Sequence, residues 1–309
     1  MRELLEEPNV EVRTQLLEGF SKIVLCSKPQ HEKILRSLLT LALEKGPDFV
    51  RAQSLNCILA LAQIDKSSAT ALLKTSSSLS DWRLRYAVCS NLEKIGSLFG
   101  SAIFTSFLTK NISDYLLDQN PDTRVSALDC IPQLCKYVEA DSLAVHILPC
   151  LNHIANDTEA TVKIALAKKM PLLVPKLGKR KFNEFFLPLI LALLRDETMD
   201  VKSAMVGSFG PIFEVVSPTV LLDAVDPALA DLSKCALWRH KRTCLDFLVA
   251  VATSGGAEAV RESLLSVLTE LVRDIFESVR EVVADTVIRL AGVLKEDWVM
   301  VNIMPEISA

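Results

Sequence analysis

Apolar and polar positions in this chain follow a long rhythm that organises everything else. A basic residue recurs at Arg13, Arg51, Arg85, Arg124, Lys163, Lys202, Lys241 and Arg280, with gaps of 38, 34, 39, 39, 39, 39 and 39. The residue before each is mostly apolar: Val12, Val50, Leu84, Thr123, Val162, Val201, His240 and Val279. Seven positions after the basic residue come Phe20, Ile58, Leu92, Ile131, Met170, Phe209, Leu248 and Val287. Ten after it come Ile23, Leu61, Ile95, Leu134, Leu173, Ile212, Val251 and Leu290. Both columns are apolar throughout. Spacings of three, seven and ten place them on one face of an α-helix.

Two further columns punctuate the pattern. Six residues before the basic position stand Asp118, Asp157, Asp196 and Asp274, with Glu7 as a variant and Leu79 and Cys235 as exceptions. Aspartate there suits a short turn and the start of the next helix. Fourteen before it stand Pro149, Pro188 and Pro227, and the column returns at Pro305. These prolines are expected to bend the first helix of each pair. Each repeat therefore reads as helix A, a tight turn, then helix B. The A helices are expected over 31–45, 67–78, 101–117, 142–155, 181–195, 218–233 and 258–273. The B helices are expected over 10–27, 48–64, 82–98, 122–138, 160–177, 200–216, 237–253 and 277–294. Neither helix can bury its apolar face alone, whereas stacked neighbours bury it together.

The period, the spacing from aspartate to basic residue and the Val-Arg pair define a HEAT array. The expected fold is all-α: an α-solenoid, or superhelix, of about eight HEAT repeats with a 39-residue period. One array then covers 1–309, divided approximately at 1–28, 29–65, 66–99, 100–139, 140–178, 179–216, 217–256 and 257–295, with a partial repeat over 296–309. The first repeat lacks its helix A and the last has only the start of one. Neither end reads as a polar cap, so exposed apolar surface is expected at both. The basic column reads as a ladder in which a cation of one repeat reaches the aspartate and turn carbonyls of the next.

Composition agrees with helices. Half of the 309 residues are hydrophobic, only 6% are aromatic, and there are 10 glycines. The net charge of −4 offers no basic excess for nucleic acid or an anionic membrane. The longest apolar stretch, from Phe185 to Leu194, is half of what a membrane span needs. The eight cysteines are scattered without a Cys-x-x-Cys pair, which points to free thiols in a reducing compartment, cytoplasm or nucleus. His146 and His153 lie two helical turns apart with nothing to complete a zinc set. Lys176, Lys179, Arg180 and Lys181 read as a solvated loop. No phosphate loop or hydrolase motif occurs, and no cofactor, metal or small-molecule substrate is expected. Ser254-Gly255-Gly256 reads as a helix C-cap and linker.

Several segments resemble one HEAT family in particular, the scaffold (A) subunit of protein phosphatase type 2A. They are Ile147-Leu148-Pro149-Cys150-Leu151, Val162-Lys163-Ile164-Ala165-Leu166-Ala167, Phe186-Leu187-Pro188-Leu189 and Leu194-Arg195-Asp196-Glu197. Trp82-Arg83-Leu84-Arg85-Tyr86 and Trp238-Arg239-His240-Lys241 resemble that family's two Trp-Arg-Val-Arg turns, four repeats apart here as there. Val279-Arg280-Glu281 and Lys295-Glu296-Asp297-Trp298 continue the register. Leu237 stands where the family has a basic residue, and Phe276-Glu277 where it offers Val-Tyr.

The resemblance implies a non-enzymatic scaffold. Its turn ridge would bind a regulatory subunit toward the N-terminal side and a serine/threonine phosphatase catalytic subunit toward the C-terminal side. Trp82 and Arg83 would then serve the first, and Trp238, Arg239, Phe276 and Glu277 the second. Asp118, Asp122, Asp157, Glu159, Asp196, Glu197, Asp200, Asp274 and Glu277 line the same ridge, as an acidic docking strip or as plain helix caps. The competing expectation is another HEAT adaptor, such as a karyopherin-like transport receptor. Against it stands the absence of Trp from the B helices, since Trp82 and Trp238 read as turn residues and Trp298 lies past the last full repeat.

Overall fold

The computed structural model describes residues 32–45, 48–77, 82–103, 109–260 and 262–305, with positions 9, 12, 15, 19, 21–24 and 26. Arg13, Glu7, Phe20, Leu79 and most of the helix expected over 10–27 lie outside the described residues. Among those described there are helices and turns and no strand. The chain divides into two compact units, residues 1–150 and 151–309.

In the first unit, α1 (Glu32–Lys45) pairs with α2 (Asp48–Leu61), and α3 (Lys66–Ser77) stacks on α1. The next helix B is split into α4 (Trp82–Ser90) and α5 (Leu92–Phe99). After α6 (Thr109–Leu116) the following one is split again, into α7 (Pro121–Asp129) and α8 (Ile131–Tyr137). Helices α2, α4 and α7 lie side by side as one layer, and α9 (Ala140–His146) packs against α6 in the other. Helix α10 (Leu148–Ala155) follows.

The second unit repeats the design. Its B layer is α11 (Ala160–Leu177), then α13 (Met199–Val206) with the short α14 (Phe209–Ile212), then α16 (Trp238–Ala259) and α18 (Glu277–Leu294). Its A layer is α12 (Leu187–Leu194), α15 (Leu222–Ser233) and α17 (Glu262–Val272), and α19 (Glu296–Asn302) packs on α18.

The periodic columns form the core. Ile58, Ile95, Ile131, Met170, Phe209, Ile212, Val251 and Leu290 are completely buried. So are Leu84, Thr123, Val162 and Val201 from the position before the basic column. Phe209 stacks on Phe213 with ring centroids 5.4 Å apart and meets Phe247 edge-on at 5.5 Å, so three aromatic rings lock α14 against α16. Val12 and Ile23, although members of the apolar columns, face solvent, and Met300 and Val301 do too. Val287 is half-buried.

Prolines shape the helices more widely than expected. Pro149 and Pro188 each stand at the second residue of a new helical segment, Pro188 after a single π-helical turn over Phe182–Phe186. Pro227 instead lies inside the continuous α15. The B helices expected over 122–138 and 200–216 are broken at Cys130 and Gly207. Pro132 and Pro211 account for this: each lacks an N–H and crowds the carbonyl four residues back. Pro171 and Pro175 lie within the uninterrupted α11. Gly256, with φ 64°, supplies the left-handed residue expected at the end of its helix B and kinks α16 there.

Candidate protein-binding surfaces

The turns are built around the aspartate column. One carboxylate oxygen of each accepts the backbone N–H two residues on: Asp118 from Asn120 at 2.8 Å, Asp157 from Glu159 at 2.9 Å, Asp196 from Thr198 at 2.8 Å and Asp274 from Phe276 at 2.9 Å. At Asp118, Asp196 and Asp274 the second oxygen takes a cation 33 residues upstream. Arg85 Nε donates to Asp118 and Lys163 Nζ to Asp196, both at 2.5 Å, and Lys241 Nζ donates to Asp274. Burial alone would raise the Asp196 carboxyl. The Lys163 bond and the Thr198 N–H outweigh it and hold the group below the usual carboxylate range. Asp274 is held down the same way by Lys241 and Phe276 N–H.

Arginines of the column also reach turn carbonyls. Arg124 donates to the carbonyls of Asp118 and Gln119 at 2.7 and 3.1 Å, and Arg280 to those of Asp274 and Ile275 at 2.6 and 3.2 Å. Arg51 likewise reaches Leu43 O and Glu44 O. The carbonyls thus belong to the arginine's own helix pair, not to the next one. The reason is reach: the side chain folds back over the orphan carbonyls that end the preceding helix. Lys202 pairs with Asp231, because Cys235 fills the aspartate position it would otherwise meet.

Trp82 and Trp238 are not turn residues. Each is the first residue of a helix B, in α4 and α16. In the first unit the Arg83 guanidinium lies 4.7 Å from the Trp82 ring centroid, a cation–π contact. Both border an open groove of about 980 Å³ running across α2, α4 and α7. Gln53 and Asn56 line it from α2, Tyr86 from α4, and Asp122 and Asp129 from α7. The walls combine aromatic faces, side-chain amides and carboxylates, which is what an extended polypeptide needs for packing, main-chain hydrogen bonds and charge.

In the second unit the turns carry an exposed apolar edge. Leu237, Trp238, Ile275 and Phe276 are 46%, 42%, 84% and 40% exposed, although each is large and hydrophobic. Lys241 Nζ sits 5.7 Å from the Phe276 ring centroid while it pairs with Asp274, so it ties one turn to the next. Arg239 and Glu277 are exposed beside these side chains. Sequence reasoning brought out Trp82 and Arg83 but not Gln53, Asn56, Tyr86 or Asp129. The signal was present in the one-turn spacing of Trp82 to Tyr86 and of Gln53 to Asn56. Those pairs become one wall only when three B helices lie side by side.

No protein-family model matches the sequence, and no curated protein matches it. Its fold is nevertheless shared with solved helical solenoids. The chain aligns with the karyopherin Kap121p bound to Pho4p at a TM-score of 0.66 and 15% identity, covering 99% of this chain and 34% of that one. It aligns with Kap121p bound to RanGTP at 0.65 and 16%, covering 96% and 33%. It aligns with Kap121p bound to the extreme C-terminus of the protein phosphatase Cdc14p at 0.65 and 15%, covering 98% and 34%. The chain thus spans about a third of the length of these structures. The likeness shows an all-α, HEAT-like solenoid fold.

Proposed function

We propose that this chain is a non-enzymatic adaptor that binds other proteins, in the manner of a karyopherin, through the groove across α2, α4 and α7. One observation carries the reading: an open channel on the B-helix layer is lined by Trp82, Tyr86, Gln53 and Asn56 and edged by Asp122 and Asp129. Amides of Asn and Gln can bond the backbone of an extended segment, and aromatic rings can take its side chains. The two carboxylates favour a segment with lysine or arginine. The likeness to Kap121p supports the reading, since those structures hold protein partners, among them Pho4p and RanGTP. Such an adaptor would work in the cytoplasm and the nucleus.

Fluorescence anisotropy with a labelled, lysine-containing extended peptide tests it. Trp82→Ala should weaken binding about tenfold or more, as loss of a central aromatic anchor does. Asp122→Asn with Asp129→Asn should weaken it and flatten its salt dependence. Equal affinity in all variants, or no binding by the wild type, would overturn the reading.

A second reading rests on a different observation, the exposed edge of Trp238 and Phe276. We infer from it a phosphatase scaffold, in which that edge with Arg239 and Glu277 receives a serine/threonine phosphatase catalytic subunit while Trp82 and Arg83 face a regulatory subunit. The cation–aspartate contacts would act purely as a structural ladder under either reading. A pull-down with type 2A catalytic and regulatory subunits separates the two. Capture that is lost with Trp238→Ala plus Arg239→Ala and kept with Trp82→Ala favours the scaffold. No capture of either subunit removes it.

A further inference from the structure

The turn before α16 breaks the column rules twice within five residues. Cys235 stands where four other turns carry aspartate, and His240 stands where most helices carry an apolar residue before the basic position. The two exceptions touch: Cys235 Sγ lies 3.1 Å from His240 Nδ1. The other ring nitrogen, Nε2, lies 2.9 Å from Asp200 Oδ1 in α13. Sulfur, imidazole and carboxylate therefore form one chain of hydrogen bonds across two helix pairs. His240 is 4% exposed, so its ring is fixed by packing as well as by its two partners.

The turn itself is an anion cradle. In its counterparts an aspartate oxygen accepts the N–H two residues on. Here the sulfur takes that role, with Leu237 N–H as its strongest stabilising contact and the His240 hydrogen bond second. Together they hold the thiol below its ordinary range despite partial burial. At His240 burial works against the charged form, and the hydrogen bonds the ring donates to Cys235 and Asp200 overcome it. A site shaped for a carboxylate thus receives the one neutral side chain that can become an anion in its place.

We infer that Cys235 is a site of thiol oxidation by hydroperoxides, activated by His240 and positioned through Asp200. The sulfur, as thiolate, attacks one oxygen of hydrogen peroxide, and an S–O bond forms as the O–O bond breaks. The leaving hydroxide takes the proton of the His240 imidazolium and departs as water. Cys235 ends as a sulfenic acid, oxidised by two electrons, and the peroxide is reduced. Asp200 keeps Nε2 protonated and the ring aimed, the part a carboxylate plays beside an imidazole. Cys57 and Cys244 provide the contrast: burial pushes each up to about 12, which keeps them as thiols.

The inference does not depend on the proposed function. Its test uses the whole chain at neutral pH, with mass spectrometry of individual cysteines. Sub-stoichiometric hydrogen peroxide followed by dimedone should trap a sulfenic acid at Cys235. Iodoacetamide should alkylate Cys235 on the order of tenfold faster than the exposed Cys26, the gain a stabilised thiolate retains after its lower intrinsic nucleophilicity is counted. Asp200→Asn, an exposed and conservative change, should cut that rate several-fold and shift its pH profile upward. His240→Gln should abolish the advantage. Labelling of Cys235 no faster than Cys26, or rates unchanged in Asp200→Asn with an intact circular dichroism spectrum, would overturn the inference.

Discussion

Asp196 offers a measure of what a turn contributes. Its two oxygens do separate jobs: one closes the turn before α13 by accepting Thr198 N–H, the other takes Lys163 Nζ. The side chains of Lys163 and Asp196 are only 14% and 11% exposed, so their ion pair is largely shielded from water. Asp196→Ala removes both interactions. Loss of the turn bond costs about 1 kcal/mol. Leaving the Lys163 ammonium without its charged partner costs about 2 kcal/mol more. The expected total is about 3 kcal/mol. Asp196→Asn keeps an acceptor for Thr198 N–H and should lose about two-thirds of this. Arg289 supplies the control, since its side chain and that of its partner Asp246 are 43% and 41% exposed. There Arg289→Ala should cost under about 1 kcal/mol, as exposed pairs do. Urea unfolding followed by far-UV circular dichroism gives each value from the midpoint, provided the slope stays constant. Equal costs at Asp196 and Arg289, or a cost at Asp196 below about 0.5 kcal/mol, would refute the reasoning.

Four further outcomes follow from named contacts. Phe209→Ala, which empties the centre of the Phe209, Phe213 and Phe247 cluster, should lower stability by about 3–5 kcal/mol in the same urea assay. Gly255→Ala should be destabilising, because its new Cβ would stand 2.4 Å from Ala259 Cβ with Pro218 close behind, and the change should appear as a lower thermal midpoint. Lys295→Gly should raise stability by up to about 1 kcal/mol in that melt, since Lys295 holds φ at 74° where only glycine rests without strain. Asp196 and Asp274 are both held below the ordinary carboxylate range, so the unfolded chain binds their protons first as acid is added. Their stabilisation is present above about pH 4 and is lost as pH falls through the depressed folded values. The urea midpoint should therefore fall more steeply below about pH 4 in the wild type than in an Asp196→Asn, Asp274→Asn double variant.

Much of the fold was legible because burial leaves a periodic trace. Ile58, Met170 and Leu290 sit at fixed distances from the basic column, and each is wholly buried where the pattern placed it. The helix breaks at Cys130 and Gly207 were less legible, because a proline breaks a helix in one place and is absorbed in another, as Pro171 and Pro175 are in α11. Local sequence does not say which. The groove was hidden for another reason. Asn56, Trp82 and Asp122 come from three successive B helices and share a wall only through lateral stacking. Cys235 and His240 each stood out as an exception to a column. Their meeting with Asp200 depends on the register between α13 and α16, which no short window of sequence carries.

The contacts between the basic and aspartate columns point one way along the chain, with the donor at Arg85, Lys163 or Lys241 and its acceptor 33 residues later. The molecule therefore has a polarity that its near-repetitive sequence conceals. Excising a segment out of phase would strand an ammonium on one side of the scar and a carboxylate on the other. Excising one whole 39-residue repeat that contains Asp118 would instead bring Arg85 to Asp157 at the old distance. At that place the architecture can shorten by a complete repeat without leaving a mismatched charge at the join.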